Sequence, residues 1–124
     1  MGGITTRSWD YILDVDWNTI NNLIICGGED CCYHVFDSCG VRLYQSEENN
    51  YVITSVSWRP NGTLFAVGSY KSIRLCDWRG WTYNQEQLMH CSSVLSLSWS
   101  PDGSHISWGG GLLMSTCIVD RVIE

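Results

Sequence analysis

The sequence predicts an all-β chain assembled from repeated antiparallel sheets, and two observations predict it. Trp17, Trp58 and Trp99 stand 41 residues apart, and the same step links Val15, Val56 and Leu97, then Gly27, Gly68 and Gly109. Between these positions, short apolar runs of strand length alternate with turn residues. A fixed period near 40 with this texture is the signature of propeller blades. The composition agrees with a packed chain: 44% apolar, 16% charged, with seven tryptophans and twelve glycines. The 124 residues hold about three four-stranded antiparallel blades: 12–50, 51–90 and a degenerate 91–124. Propellers close with about four to eight blades, so residues 1–124 read as a partial propeller, an incomplete ring.

In the first unit, Leu13-Asp14-Val15-Asp16-Trp17 alternates apolar and polar residues, the period of a half-buried strand. Asn18 to Asn22 form the turn, with asparagines that tolerate unusual backbone angles. Leu23-Ile24-Ile25-Cys26 is a continuous apolar run, as expected of a short strand buried on both faces. Gly27-Gly28-Glu29-Asp30 turns the chain into a third strand, Tyr33 to Asp37, and Cys39-Gly40 leads to a fourth, Val41 to Tyr44.

The second unit repeats this more cleanly. Val52 to Trp58 is the first strand, and Arg59-Pro60-Asn61-Gly62 is a turn with strong local chemistry. Leu64 to Val67 follows, ended by Gly68-Ser69, then Ile73 to Asp77, and a fourth strand begins at Trp81-Thr82-Tyr83. The third unit opens with Val94 to Trp99 and the turn Ser100-Pro101-Asp102-Gly103. It then loses register through Ile106-Ser107-Trp108, Gly109-Gly110-Gly111 and Leu112-Leu113-Met114, with Ile118 to Ile123 as the expected last strand.

The repeat positions Val15, Trp17, Gly27, Val56, Trp58, Gly68, Leu97, Trp99 and Gly109 are therefore expected to be structural. The three tryptophans are expected in equivalent buried positions, each closing the first strand of its blade against a neighbour. An open arc would also leave apolar faces uncovered, with Trp17 and Leu23-Ile24-Ile25-Cys26 at one end.

The runs Ser57 to Gly62, Phe65 to Ser69, Arg74 to Asp77, and Gly27 to Asp37 are similar to degenerate WD repeats. The Trp-Asp pair itself is absent, because Phe36 and Cys76 stand where its Trp is expected. The buried His-Asp-Ser-Trp hydrogen-bond set of regular WD repeats is therefore not expected. Residues 12–111, and above all Ile53 to Tyr83, resemble the later blades of the first propeller in the intraflagellar transport protein 80 family of complex B subunits. The tail from Leu112 departs from that pattern. The resemblance implies two tandem propellers and a helical C-terminal region, of which this chain is a small piece of one seven-bladed ring. It also implies a non-catalytic scaffold for cilium assembly, in the cytoplasm and at the ciliary base and axoneme. Its implied partners are other complex B subunits and the remaining blades of the same propeller.

Charge narrows the classes further. Residues 1–50 carry eight acids against Arg7 and Arg42, while residues 51–124 are balanced, so the net charge of −6 sits in the first unit. Nothing resembles a basic footprint for nucleic acid or anionic lipid. No apolar run approaches the roughly 20 residues of a membrane span. No secretory leader is expected, so the seven cysteines read as reduced thiols without framework spacing. Met1-Gly2-Gly3-Ile4-Thr5-Thr6 fits a loose myristoylation template, but no polybasic patch supplies a second anchor.

No cofactor or metal is expected. Cys31-Cys32-Tyr33-His34, with Cys26 and Cys39 nearby, lacks the Cys-x2-Cys pairs of structural zinc, and strand alternation sends Cys31 away from Cys32 and His34. His34, His90 and His105 are isolated from any nucleophile and acid, with Ser92 and Ser93 beside Cys91 read as linker. Asp14 and Asp16 share one strand face and read as solvated rather than as a weak Ca²⁺ site. Gly109-Gly110-Gly111 lacks the following Lys-Ser or Lys-Thr of a phosphate loop, and reads as the turn after the second strand. The competing function is a ligand-binding or enzymatic propeller with a site in the central channel. That would need a polar or metal-binding set repeated at one register of the innermost strands, and the Leu, Val and Trp there, with Ser and Asp between, supply none.

Overall fold

The computed structural model describes residues 11–88, 92–110 and 113–118, the last as backbone. Among these residues there are eleven strands and no helix. β1 (Ile12–Trp17), β2 (Leu23–Gly28), β3 (Tyr33–Asp37) and β4 (Arg42–Gln45) form one sheet in chain order. β5 (Ser55–Trp58), β6 (Phe65–Ser69), β7 (Ser72–Cys76) and β8 (Thr82–Gln87) form the second in the same way. β9 (Ser96–Trp99), β10 (His105–Gly110) and β11 (Leu113–Ile118) form the third. Every pairing is an antiparallel meander. The expected strand Ile118 to Ile123 lies outside the described residues apart from Ile118, which ends β11.

The turns follow from side-chain chemistry. Between β5 and β6 the Gly62 amide donates to the Arg59 carbonyl at 2.8 Å, and Gly62 takes φ +76°. The β9–β10 turn repeats this, with Gly103 donating to Ser100 at 2.9 Å at φ +74°. Between β3 and β4, Asp37 Oδ1 accepts from the Cys39 and Val41 amides. Asp77 Oδ1 does the same for Arg79 and Trp81 between β7 and β8. These aspartates occupy the second position of the missing Trp-Asp pair, and what they do is cap an Asx-type turn.

The core lies between the sheets. On one side of the second sheet, Val56, Trp58, Phe65, Val67 and Cys76 pack with Ile25, Tyr33 and Val35 of the first. On its other side, Leu64, Ala66 and Leu75 pack with Ile106, Leu97, Trp99 and Trp108 of the third. A strand pressed from both sides cannot alternate, which is why Leu64 to Val67 is apolar without interruption. Phe65 sits at the centre, edge-on to Trp58 at 5.1 Å and to Tyr33 at 5.3 Å between ring centroids.

The repeat glycines lie within strands, where turns were expected. A Cβ on Gly27 would stand 2.2 Å from Ile53 Cγ2, and one on Gly68 would stand 2.3 Å from Ser55 Oγ and 2.8 Å from Val94 Cγ1. Ile53 and Val94 are themselves 41 residues apart and both buried. Glycine here lets the chain entering the next blade press against the second strand of the last. Gly109 likewise falls inside β10, opposite Met114.

Two burial expectations need correction. Trp58 is 4% exposed but Trp17 is 53% exposed, and Val56 at 4% contrasts with Val15 at 50%. Val56 and Trp58 are covered by the preceding sheet, and among the described residues no sheet precedes β1. Ile24, Ile25 and Cys26 are buried, as their unbroken apolar run predicts and not uncovered as an open arc would leave them. They lie on the second strand, inside the sheet, with Ile25 against the second blade and Ile24 and Cys26 against Phe36.

Candidate protein-interaction site

The two blade junctions share a pattern. At the first, the Trp58 indole Nε1 donates to the Asp16 carbonyl at 3.2 Å. At the second, Trp99 Nε1 donates to the Ser57 carbonyl at 3.0 Å, again to the residue preceding the previous tryptophan. The turns are tied in the opposite direction: Asn21 Nδ2 donates to the Gly62 carbonyl at 2.9 Å, and Arg59 Nε to the equivalent Gly103 carbonyl at 2.9 Å. Asn18 adds contacts to the Arg59 and Pro60 carbonyls, and the Arg59 guanidinium lies 5.9 Å from the centre of the Trp99 ring.

The junctions differ in their innermost strands. The Val56 amide donates to Asp14 Oδ2 at 3.0 Å and the Trp58 amide to Asp16 Oδ2 at 2.7 Å. Asp14 and Asp16, read as a solvated face, in fact satisfy the free amide edge of β5. At the second junction Thr54 Oγ1 and Ser55 Oγ both donate to the Val94 carbonyl, at 2.6 and 2.8 Å. The signal in the sequence lies in the repeat: Asp14 and Asp16 stand where the next unit has Ser55 and Ser57, so the first junction carries acids in place of serines.

On β1 the same donors turn inward. The Val15 amide donates to Asp14 Oδ1 of its own strand, and Trp17 Nε1 to Asn22 Oδ1 of its own blade, each at 2.9 Å. Leu13, Val15 and Trp17 remain exposed on this face, and Tyr11 before β1 and Ile20 after it are exposed as well. Val15, Trp17, Val56, Trp58, Leu97 and Trp99 thus all lie at blade faces, while Gly27 and Gly68 are points of close backbone approach. The structure brings none of the nine together as a chemical centre.

The cysteine-rich turn is a packing feature. Cys26 and Cys32 are buried, Cys39 is exposed, and Cys31 sits in the turn at φ +64°. Burial, with the Asp30 carboxylate nearby, pushes the Cys26 thiol up to about 12. Among the described residues no three metal-binding side chains converge. His34 Nε2 lies 2.7 Å from buried Asp30 Oδ2, while Asp30 Oδ1 accepts from the Cys32 amide at 3.1 Å. An Asp–His pair thus braces this blade, although the full set of a regular WD repeat was not expected.

The model of the WD domain, G-beta repeat, matches residues 40–77 and 83–118. This chain belongs to the WD40-repeat family. Each matched stretch starts near an outer strand, β4 or β8, and ends with the third strand of the next sheet, so a WD40 repeat straddles two blades. That stagger makes the chain a partial WD40 propeller rather than a row of independent sheets. The chain is also 49% identical over 112 residues, 89% of its length, to the Intraflagellar transport protein 80 homolog of Rattus norvegicus, and equally to that of Mus musculus. It spans about 14% of the length of those relatives.

Proposed function

We propose that the chain is a non-catalytic part of a larger propeller that scaffolds protein assembly in intraflagellar transport. The observation that carries this is the face of β1. Leu13, Val15 and Trp17 are exposed at positions that a preceding blade covers at the next junction, and their donors are turned back onto their own blade. A face built to this repeated pattern suits another blade of the same ring. The innermost acids, which a central-channel enzyme would need free, are engaged by neighbouring amides.

The likeness to the intraflagellar transport relatives supports placing this scaffold in complex B, with other subunits of that complex as partners. It supports a role in cilium assembly, in the cytoplasm and the cilium. Size-exclusion chromatography with light scattering tests the ring reading. The isolated chain is expected to self-associate or to need further blades for solubility. A cooperatively folding, strictly monomeric 14.1 kDa species at micromolar concentration refutes it. Co-purification of the intact protein with complex B subunits tests the assignment to that assembly.

A further inference from the structure

Two clefts lie side by side where the connection after β4 meets the turn between β6 and β7. The larger, of about 350 Å³, is mainly apolar and includes Cys31, Val52 and Ser93 in its wall. The smaller, of about 120 Å³, is polar and includes Asn49, Gln85, Gln87 and Arg74. Tyr51 and Tyr70 line both clefts as a shared ridge. Their ring centroids are 4.9 Å apart, and they remain 52% and 40% exposed. Lys71 Nζ stands 5.5 Å from the centre of the Tyr70 ring on the same rim.

Arg74 is the informative member. It is half-buried, yet among the described residues it donates to the neutral side-chain oxygen of Asn49, and no carboxylate lies within ion-pair distance. In a chain of net charge −6, a half-buried guanidinium facing a cleft without an acid is a charge left for something else to meet.

We propose that the two clefts form one docking site for an extended acidic segment of a partner protein. A carboxylate side chain enters the polar cleft and takes the Arg74 fork, and a neighbouring apolar side chain crosses the tyrosine ridge into the larger cleft. One guanidinium ringed by amides matches a singly charged planar carboxylate. The tyrosines offer rigid contact surface at low entropic cost. This deepens the scaffold reading, on which it rests, by naming the chemistry of one partner.

The test is fluorescence polarisation of the intact protein with labelled Gly-Ser-Glu-Gly-Leu-Ser-Gly, alongside versions with Gln for Glu, Ser for Leu, and phosphoserine for Glu. Saturable binding of the Glu peptide is expected, weakened about tenfold or more by the Gln replacement and by Arg74→Gln. The Ser-for-Leu peptide and Tyr70→Ala are expected to weaken it as well. Tyr70 is exposed, so its variant remains informative if Arg74→Gln fails to fold, which circular dichroism reads directly. Equal binding of the Glu and Gln peptides, tighter binding of the phosphoserine peptide, indifference to both substitutions, or no saturable binding overturns the proposal. Co-purification with complex B subunits is read separately, so loss of the peptide site and loss of the scaffold reading are distinguishable.

Discussion

Replacing Trp58 and Trp17 by alanine, one at a time, separates equivalence in sequence from equivalence in structure. Trp58 is 4% exposed, packs edge-on to Phe65 and donates its indole proton to the Asp16 carbonyl. Its truncation opens a cavity at the junction and is expected to cost about 3–5 kcal/mol. Trp17 is 53% exposed and bonds only to Asn22 of its own blade among the described residues. About half of a ~200 Å² side chain at ~25 cal/mol per Å² gives a cost of about 2 kcal/mol. The expected gap is therefore about 2 kcal/mol, close to thirtyfold in the unfolding constant. Urea titration followed by circular dichroism, at one fixed protein concentration because association shifts apparent stability, measures both variants in the 124-residue chain. Restoring an upstream blade should raise the Trp17 cost toward that of Trp58. Equal costs in the short chain would refute the assignment of β1 to an open face.

Two further outcomes follow from the junction and the thiols. Asp16→Ala removes the acceptor of the Trp58 amide and is expected to cost about 1–2 kcal/mol at this half-buried site, read by the same titration. Cys39 is exposed and Cys26 buried, so a thiol reagent should label Cys39 first in the native protein, as peptide mapping would show. The raised Cys26 value also gives a sign: its contribution is fully present below pH 9.0 and is lost as pH rises toward about 12. Stability across that window should fall more steeply in the parent chain than in Cys26→Ala, and identical slopes would contradict the buried thiol.

Much of the fold was legible because it is periodic. The 41-residue step placed β1, β5 and β9, and the asparagines after β1 and the proline and glycine after β5 and β9 placed their turns. What the period could not carry was the identity of the covering surface. Trp17 and Trp58 look alike in sequence, yet burial is conferred by another unit, so the same residue is half exposed in one and enclosed in the other. Asp14 and Asp16 were legible as one face of a strand, but alternation says nothing about which amides lie opposite. Gly27 and Gly68 suggested turns, whereas Ile53 and Val94 on the following connection explain them. The tyrosine ridge and Arg74 went unread because Tyr51 and Tyr70 come from different turns, and only the approach of the two sheets joins them.

The difference between the two junctions bears on how such a chain reaches its native order. Tandem units of similar sequence are prone to docking on the wrong neighbour while they fold. The tryptophan-to-carbonyl contact does not discriminate, since it is the same at both boundaries. The acid pair does. β5 is received by two carboxylates, whereas the third blade is received by the hydroxyls of Thr54 and Ser55, which donate to the Val94 carbonyl. A third blade docked on the first would lose those two hydroxyl donors, whose counterparts one repeat earlier are Leu13 and Asp14, so its Val94 carbonyl favours the second blade as neighbour.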